Sequence, residues 1–217
     1  MAQSSNSPRA AGQVALALGV AAVFWFALIL QASLTLALVR SQGGGAARAI
    51  WVYLAYFTIL SNLIAAVALV LPILWPRSAA GRFCARPGPI SAIAACMLLV
   101  GIAYNLLLRG VWNPQGWQLV ADNLLHCVDP LLFALYWWFA GRSRELSYSA
   151  MGAWALYPLG YLVYAVARGL SGDFYAYPFI DVAKLGFAQV LFNAFAVALG
   201  FLALAASLIS LGRRSSP

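Results

Sequence analysis

Two short segments of the sequence carry polar side chains at helical spacings. Residues at i, i+3, i+4 and i+7 share one face of an α-helix. The residues are Thr58, Ser61 and Asn62 in the first segment and Asp122, His126 and Asp129 in the second. If the two faces oppose each other, a hydroxyl, an imidazole and a carboxylate converge. These groups are the parts of a nucleophile, its base and an orienting group, because neutral imidazole can accept a hydroxyl proton near pH 7.

Each of these residues also has an ordinary structural interpretation. A helical threonine such as Thr58 more often bonds its own backbone or a neighbouring helix than acts as a nucleophile. A lone histidine is more often a hydrogen-bonded structural group. Asp122 could cap a helix near the membrane interface, while Asp129 could be protonated, paired or in contact with water. From residue types and spacing alone, the structural interpretation is the commoner one.

The elements that must position these residues are predicted to be membrane-spanning helices. Sixty-four per cent of the 217 residues are apolar and only 8% are charged, against about 25% charged in soluble domains. A spanning helix needs about 20 mainly apolar residues. Six stretches qualify, namely 14–39, 50–74, 90–108, 118–140, 147–167 and 185–211. The predicted fold is an all-α six-helix bundle over residues 13–211, with cytoplasmic tails at 1–12 and 212–217 that we expect to be disordered.

Polar residues in the six spans fall at similar depths. Thr58 lies eight positions inside the predicted start of its span, or about 12 Å at the usual helical rise. Every other span also has a polar residue in the same half of the membrane, namely Gln31, Asn105, His126, Tyr161 and Asn193. The agreement predicts one polar cavity that opens toward the outer face. In that cavity we expect Asn62, Asn105 or Asn193 to donate hydrogen bonds to a developing oxyanion.

The charges and the cysteines exclude several classes of function and predict the orientation of the chain in the membrane. The net charge of +8 is spread singly over short loops, so we expect no nucleic-acid partner. One histidine and three scattered cysteines give no metal-ligand spacing, and no nucleotide-binding loop is present. We therefore expect no metal and no cofactor. Eight of the thirteen basic residues fall on the side of both termini, which predicts cytoplasmic termini. The alanine-, leucine- and arginine-rich composition indicates a bacterial inner (plasma) membrane.

Four strings suggest a family. They are YFTILSNL at 56–63, DNLLH at 122–126 followed by Pro130, YPLGY at 157–161 and YAYPFID at 175–181. Together they resemble the bacterial six-transmembrane branch of the androgen-induced-gene/FAR-17a-like membrane protein family. The likeness runs from the second span to the sixth. Asp129 departs from the pattern, in which an apolar residue is expected.

The resemblance implies an intramembrane hydrolase. Animal members of the family cleave fatty acid esters of hydroxy fatty acids and need a threonine in the second span and a histidine in the fourth. These roles fall on Thr58 and His126, so the expected partner is an acyl ester from the bilayer. The alternative is a membrane protein that binds or transports lipid in the same cavity without catalysis. A purely structural subunit is a third possibility, and the sequence gives no indication of the oligomeric state.

Overall fold

Six helical segments are long and apolar enough to cross a membrane in the computed structural model, which describes residues 8–172 and 174–214. No β-strand occurs in these two ranges, so the predicted all-α six-helix bundle is confirmed. Large apolar side chains cover its outer surface; Leu106 is 77% exposed and Val163 is 70% exposed. Soluble proteins rarely expose apolar surface of this extent to water. The chain is a multi-pass membrane protein.

The helices follow one another with short connections. Those in the described residues are α1 (Pro8–Ser41), α2 (Ala46–Tyr53), α3 (Phe57–Leu74), α4 (Ala79–Cys84), α5 (Pro87–Ala103), α6 (Trp117–Asn123), α7 (Asp129–Ala140), α8 (Met151–Leu170) and α9 (Val182–Arg214). Two π-helical turns, Tyr104–Leu108 and Leu124–Val128, continue α5 and join α6 to α7. Two 3₁₀ turns, Tyr148–Ala150 and Pro178–Ile180, precede α8 and α9.

The expectation of disorder in the two tails is wrong at residues 8–12 and 212–214, which are helical. Residues 8–12 already belong to α1, whose first residue is a proline, as suits a helix N-terminus. Gly212 lies in the last turn of α9, where it is buried and a Cβ would come within 2.7 Å of Leu146. α9 therefore continues beyond residue 211, the predicted end of the apolar stretch, and its last turn packs against Leu146. The other residues of the predicted tails, 1–7 and 215–217, lie outside the described part of the chain.

The second span begins at Phe57 and not at residue 50 as predicted. The backbone leaves the helix after Tyr53 and resumes at Phe57, with Tyr56 extended at φ −99° and ψ 133°. Side chains of α8 bind the carbonyls at this break: Tyr161 donates to Ala55 O at 2.8 Å and Tyr164 donates to Leu54 O at 3.2 Å. Non-helical backbone inside a membrane protein requires such partners. The break places Thr58 in the first turn of α3.

The π-helical turn of the fourth span has a local cause. Pro130 has no N–H to give to the carbonyl of His126, and a proline ring clashes with the carbonyl four residues earlier. The chain widens into the π turn, in which Asp129 N–H bonds Leu124 O, five residues back. Gly101 of α5 packs directly against this turn, since a Cβ built there would lie 3.3 Å from His126 O. The close approach brings the end of α5 against His126.

We predict that Gly101→Val destabilises the protein by about 1–3 kcal/mol, because the larger side chain separates α5 from the π turn. Thermal unfolding of the purified protein in detergent measures the change. Gly160→Val in α8 is the matched control, since nothing in the described residues lies within 4 Å of a Cβ there. Equal effects of the two substitutions would show that the close approach at Gly101 does not matter.

Candidate active site

Thr58 and His126 lie in contact, so the two polar faces predicted from sequence do oppose each other. The Thr58 hydroxyl oxygen Oγ1 is 3.2 Å from Nε2 of His126. Thr58 is buried, and the His126 side chain is 16% exposed. Asn62 connects the two elements, because its Nδ2 donates to Thr58 O at 2.8 Å and lies 3.4 Å from Leu125 O. The first turn of α3 is thus bonded to the turn that carries His126.

The surroundings of His126 define which ring nitrogen carries the proton. Its Nδ1 lies 2.9 Å from the backbone oxygen of Asp122 and 3.3 Å from Oδ1 of the same residue. Both of these oxygens are acceptors, so Nδ1 bears the hydrogen and donates. Nε2 then presents its lone pair to the Thr58 hydroxyl. This is the tautomer that a general base needs.

Tyr104 is a site residue that the sequence analysis missed. Its ring stacks on the imidazole of His126, with centroids 3.9 Å apart and planes 14° from parallel. Its hydroxyl donates to Oδ2 of Asp122, which is 3% exposed. Asp122 is therefore a buried residue held between Tyr104 and His126, and the helix-cap interpretation is wrong. The signal in the sequence was a tyrosine beside Asn105 in the third span.

Asp129 does not join this group, contrary to the spacing argument. One extra residue in a π turn shifts the helical phase by roughly 100°. Residues 122 and 126 keep their contact across the turn, whereas Asp129 starts α7 beyond it. Its side chain is fully buried, and neither carboxyl oxygen has a hydrogen-bond partner among the described residues. Asp129 is thus a buried polar group outside the site.

An apolar cavity of about 180 Å³ opens beside Thr58. Its walls come from the start of α3, the end of α5 with the π turn that follows it, α8, Tyr177 with the 3₁₀ turn before α9, and α9 itself. Four of its lining residues have polar groups, namely Thr58, Tyr104, Tyr161 and Tyr177. Ser61 lies behind the wall, where its hydroxyl bonds the Tyr157 hydroxyl at 3.0 Å. The cavity suits a hydrocarbon chain with one polar group placed at Thr58.

The prediction of one polar cavity lined by all six spans is wrong. Gln31 accepts a hydrogen bond from Gln118 at 2.8 Å and so ties α1 to α6. Asn105 is exposed and donates to Gly101 O of its own helix, and Asn193 donates to Phe179 O. None of these three residues lines the cavity. Similar depth did not bring them together because they point in different directions around their helices.

No protein-family model, no curated protein and no solved structure matches this chain. The family resemblance of the four sequence strings therefore stays a prediction, and the functional argument rests on the geometry of the site.

We predict that Asp129→Leu raises the thermal stability in detergent. Leucine has the same branched shape without the two carboxyl oxygens that have no hydrogen-bond partner among the described residues. A buried polar group without a partner lowers the free energy of unfolding by about 1–3 kcal/mol. Asp181→Leu is the matched control and should lower stability, because Asp181 accepts from Lys184 N at 3.1 Å at the start of α9. A loss of stability in Asp129→Leu would show that its carboxyl has a stabilising partner.

Proposed function

We propose that this protein hydrolyses acyl esters that enter from the lipid bilayer, with Thr58 as the nucleophile and His126 as the general base. The observation that carries the proposal is the 3.2 Å contact between Thr58 Oγ1 and His126 Nε2 at the wall of an apolar cavity. The order hydroxyl, imidazole, carboxylate follows the logic of nucleophile, base and orienting group. The family resemblance points to the same two residues.

The first half of the reaction forms an acyl-enzyme. His126 Nε2 takes the Thr58 hydroxyl proton while Oγ1 attacks the ester carbonyl carbon, and the carbonyl π electrons move to oxygen. The imidazolium that forms is stabilised by Asp122, whose carboxylate faces Nδ1. The tetrahedral intermediate then expels the alkoxide, which takes the proton from Nε2 and leaves as an alcohol. The product is an acyl-threonine.

The second half releases the acid. A water molecule gives one proton to Nε2 and attacks the acyl carbonyl, and the Thr58 oxygen recovers the proton as the bond to it breaks. The acyl chain lies in the apolar cavity throughout. Fatty acid esters of hydroxy fatty acids are the substrate class that we expect from the resemblance, and no cofactor takes part in these steps.

A lipid carrier is the second candidate. The almost entirely apolar lining of the cavity favours it, because such a wall binds hydrocarbon chains whether or not chemistry follows. The two functions differ in turnover. A carrier binds lipid esters and returns them intact, whereas the hydrolase releases one acid and one alcohol for each ester consumed.

We predict that Thr58→Val and His126→Ala each reduce ester turnover by at least about 1000-fold, because nucleophile and base act as a unit. Asp122→Asn should cost less than His126→Ala, since the Asp122 backbone carbonyl still accepts from Nδ1. Turnover of a lipid ester and labelling by an alkyl fluorophosphonate measure the losses. Thr35→Val in α1 is the matched control, because Thr35 is also buried but bonds Gln31. Lipid binding without turnover in the parent protein would favour the carrier.

We propose further that the protein resides in a bacterial plasma membrane with both termini in the cytoplasm. The side of the termini carries eight basic residues, at positions 9, 77, 82, 86, 142, 144, 213 and 214, against five on the opposite side. In this orientation the Thr58 site lies in the half of the membrane that faces away from the cytoplasm.

The expected topology gives a simple pattern of reporter activity in a bacterial host. A fluorescent protein fused to the C-terminus should fluoresce, because it folds in the cytoplasm. Alkaline phosphatase inserted at residues 113–116, between α5 and α6, should be active, because it requires export. The reverse pattern of the two reporters would contradict the proposed orientation.

A further inference from the structure

Tyr177 lies outside the spanning helices and contacts Thr58. It lies in the segment between α8 and α9, directly before the 3₁₀ turn Pro178–Ile180. The backbone N–H of Thr58 donates to the Tyr177 hydroxyl oxygen at 3.4 Å. Tyr177 also lines the cavity together with Thr58. A phenol group therefore lies beside the proposed nucleophile, on the surface that an ester would contact.

Attack by Thr58 needs a donor for the charge that develops on the carbonyl oxygen. Removal of such a donor typically slows acyl transfer by about 100- to 1000-fold. The amides considered from the sequence do not supply it. Asn62 Nδ2 bonds two backbone carbonyls, Asn105 Nδ2 bonds Gly101 O and Asn193 Nδ2 bonds Phe179 O. None of these three asparagines lines the cavity. The donor must come from another group at the cavity wall.

The position of Tyr177 is fixed by its aromatic neighbours. Its ring stacks on Phe179 with centroids 5.2 Å apart, and it meets the edges of Tyr56 and Tyr161 at 6.0 Å and 6.4 Å. A donor held in place before the reaction needs no reorganisation when charge develops. Burial raises the pKa of Tyr177, although hydrogen bonds with Thr58 offset part of the rise. The phenol therefore keeps its proton at neutral pH.

We propose that the Tyr177 hydroxyl donates a hydrogen bond to the oxyanion that forms when Thr58 attacks an ester carbonyl. This inference rests on the proposed hydrolase function. The Tyr177 oxygen accepts from Thr58 N–H. Its own O–H proton lies beside the side-chain hydroxyls of Thr58 and Tyr161, and it turns to the substrate oxygen when an ester is bound. No proton is transferred from Tyr177, because the proton released by Thr58 goes to His126. The hydrogen bond from Tyr177 to the oxyanion weakens when the carbonyl re-forms and the alcohol leaves.

The N-terminus of α3 strengthens the Tyr177 hydroxyl as a hydrogen-bond donor. Thr58 N–H is among the first N–H groups of α3, which have no partner within the helix. The partial positive charge at this helix end favours negative charge nearby. By binding one of these N–H groups, the Tyr177 oxygen becomes more polarised, and its O–H becomes a better donor.

The test uses Tyr177→Phe in the full-length protein in detergent or lipid vesicles. We expect kcat for a water-soluble ester, such as a p-nitrophenyl acyl ester, to fall about 100- to 1000-fold with KM nearly unchanged. Tyr53→Phe is the matched control, because Tyr53 also donates one hydrogen bond, to Leu28 O at 2.8 Å, but does not line the cavity. It should retain parental kcat.

A transition-state mimic separates oxyanion binding from general damage to the site. An alkyl trifluoromethyl ketone forms a hemiketal oxyanion with a nucleophilic hydroxyl, whereas the matching alkyl ether binds without forming one. In Tyr177→Phe the ketone should lose affinity in proportion to the loss of kcat/KM, while the ether binds as in the parent.

Three results would overturn the inference in distinguishable ways. Parental kcat and ketone affinity in Tyr177→Phe, with Thr58→Val inactive, would exclude Tyr177 and leave the hydrolase in place. Equal losses of ketone and ether affinity would show that Tyr177 only shapes the cavity. An inactive parent protein that binds the ether would remove both the hydrolase and the oxyanion donor.

Discussion

Backbone N–H and C=O groups inside an apolar bundle must find partners within the protein, and the site depends on how that requirement is met between α2 and α3. A continuous helix would satisfy these groups by itself. This chain instead breaks at residues 54–56, and hydroxyls of Tyr161 and Tyr164 bind the released carbonyls. Arg168 extends the same face of α8 and binds Trp51 O at 2.8 Å. As a result Thr58 lies in the first turn of α3, where its N–H group has no partner within the helix and donates to the Tyr177 hydroxyl.

The fourth span departs from regular helix at the same level. Its π turn follows from Pro130 and brings His126 to Thr58, while Gly101 allows α5 to approach closely enough for Tyr104 to stack on the imidazole. π turns are frequent at functional sites because they turn a side chain away from the regular helical phase. The candidate site thus lies where these two irregular segments meet, and Asn62 bonds the backbone of both.

Much of the fold was predictable because it depends on local composition. Six apolar stretches of sufficient length predict six spans, and the spacing of Asp122 and His126 predicts a shared face, which persists through one turn of any helix. The break before Phe57 was not predictable, since no glycine or proline marks it and its partners lie about 110 residues away in α8. The prediction of one polar cavity was wrong because it compared the depths of the polar residues in the membrane and not the directions in which their side chains point. Tyr104 was missed, and the contact of Tyr177 with Thr58 was not predicted, because tyrosines in spans and loops resemble interface anchors.

Tyr161 has two contacts that link what the cavity holds to how the site is aligned. Its ring forms part of the cavity wall, and its hydroxyl bonds Ala55 O, three residues before Thr58. A molecule in the cavity that displaced α8 would therefore pull on the chain that leads into Thr58. In the proposed hydrolase, the fit of the acyl chain and the alignment of the Thr58 hydroxyl would then be mechanically coupled through the Tyr161 side chain.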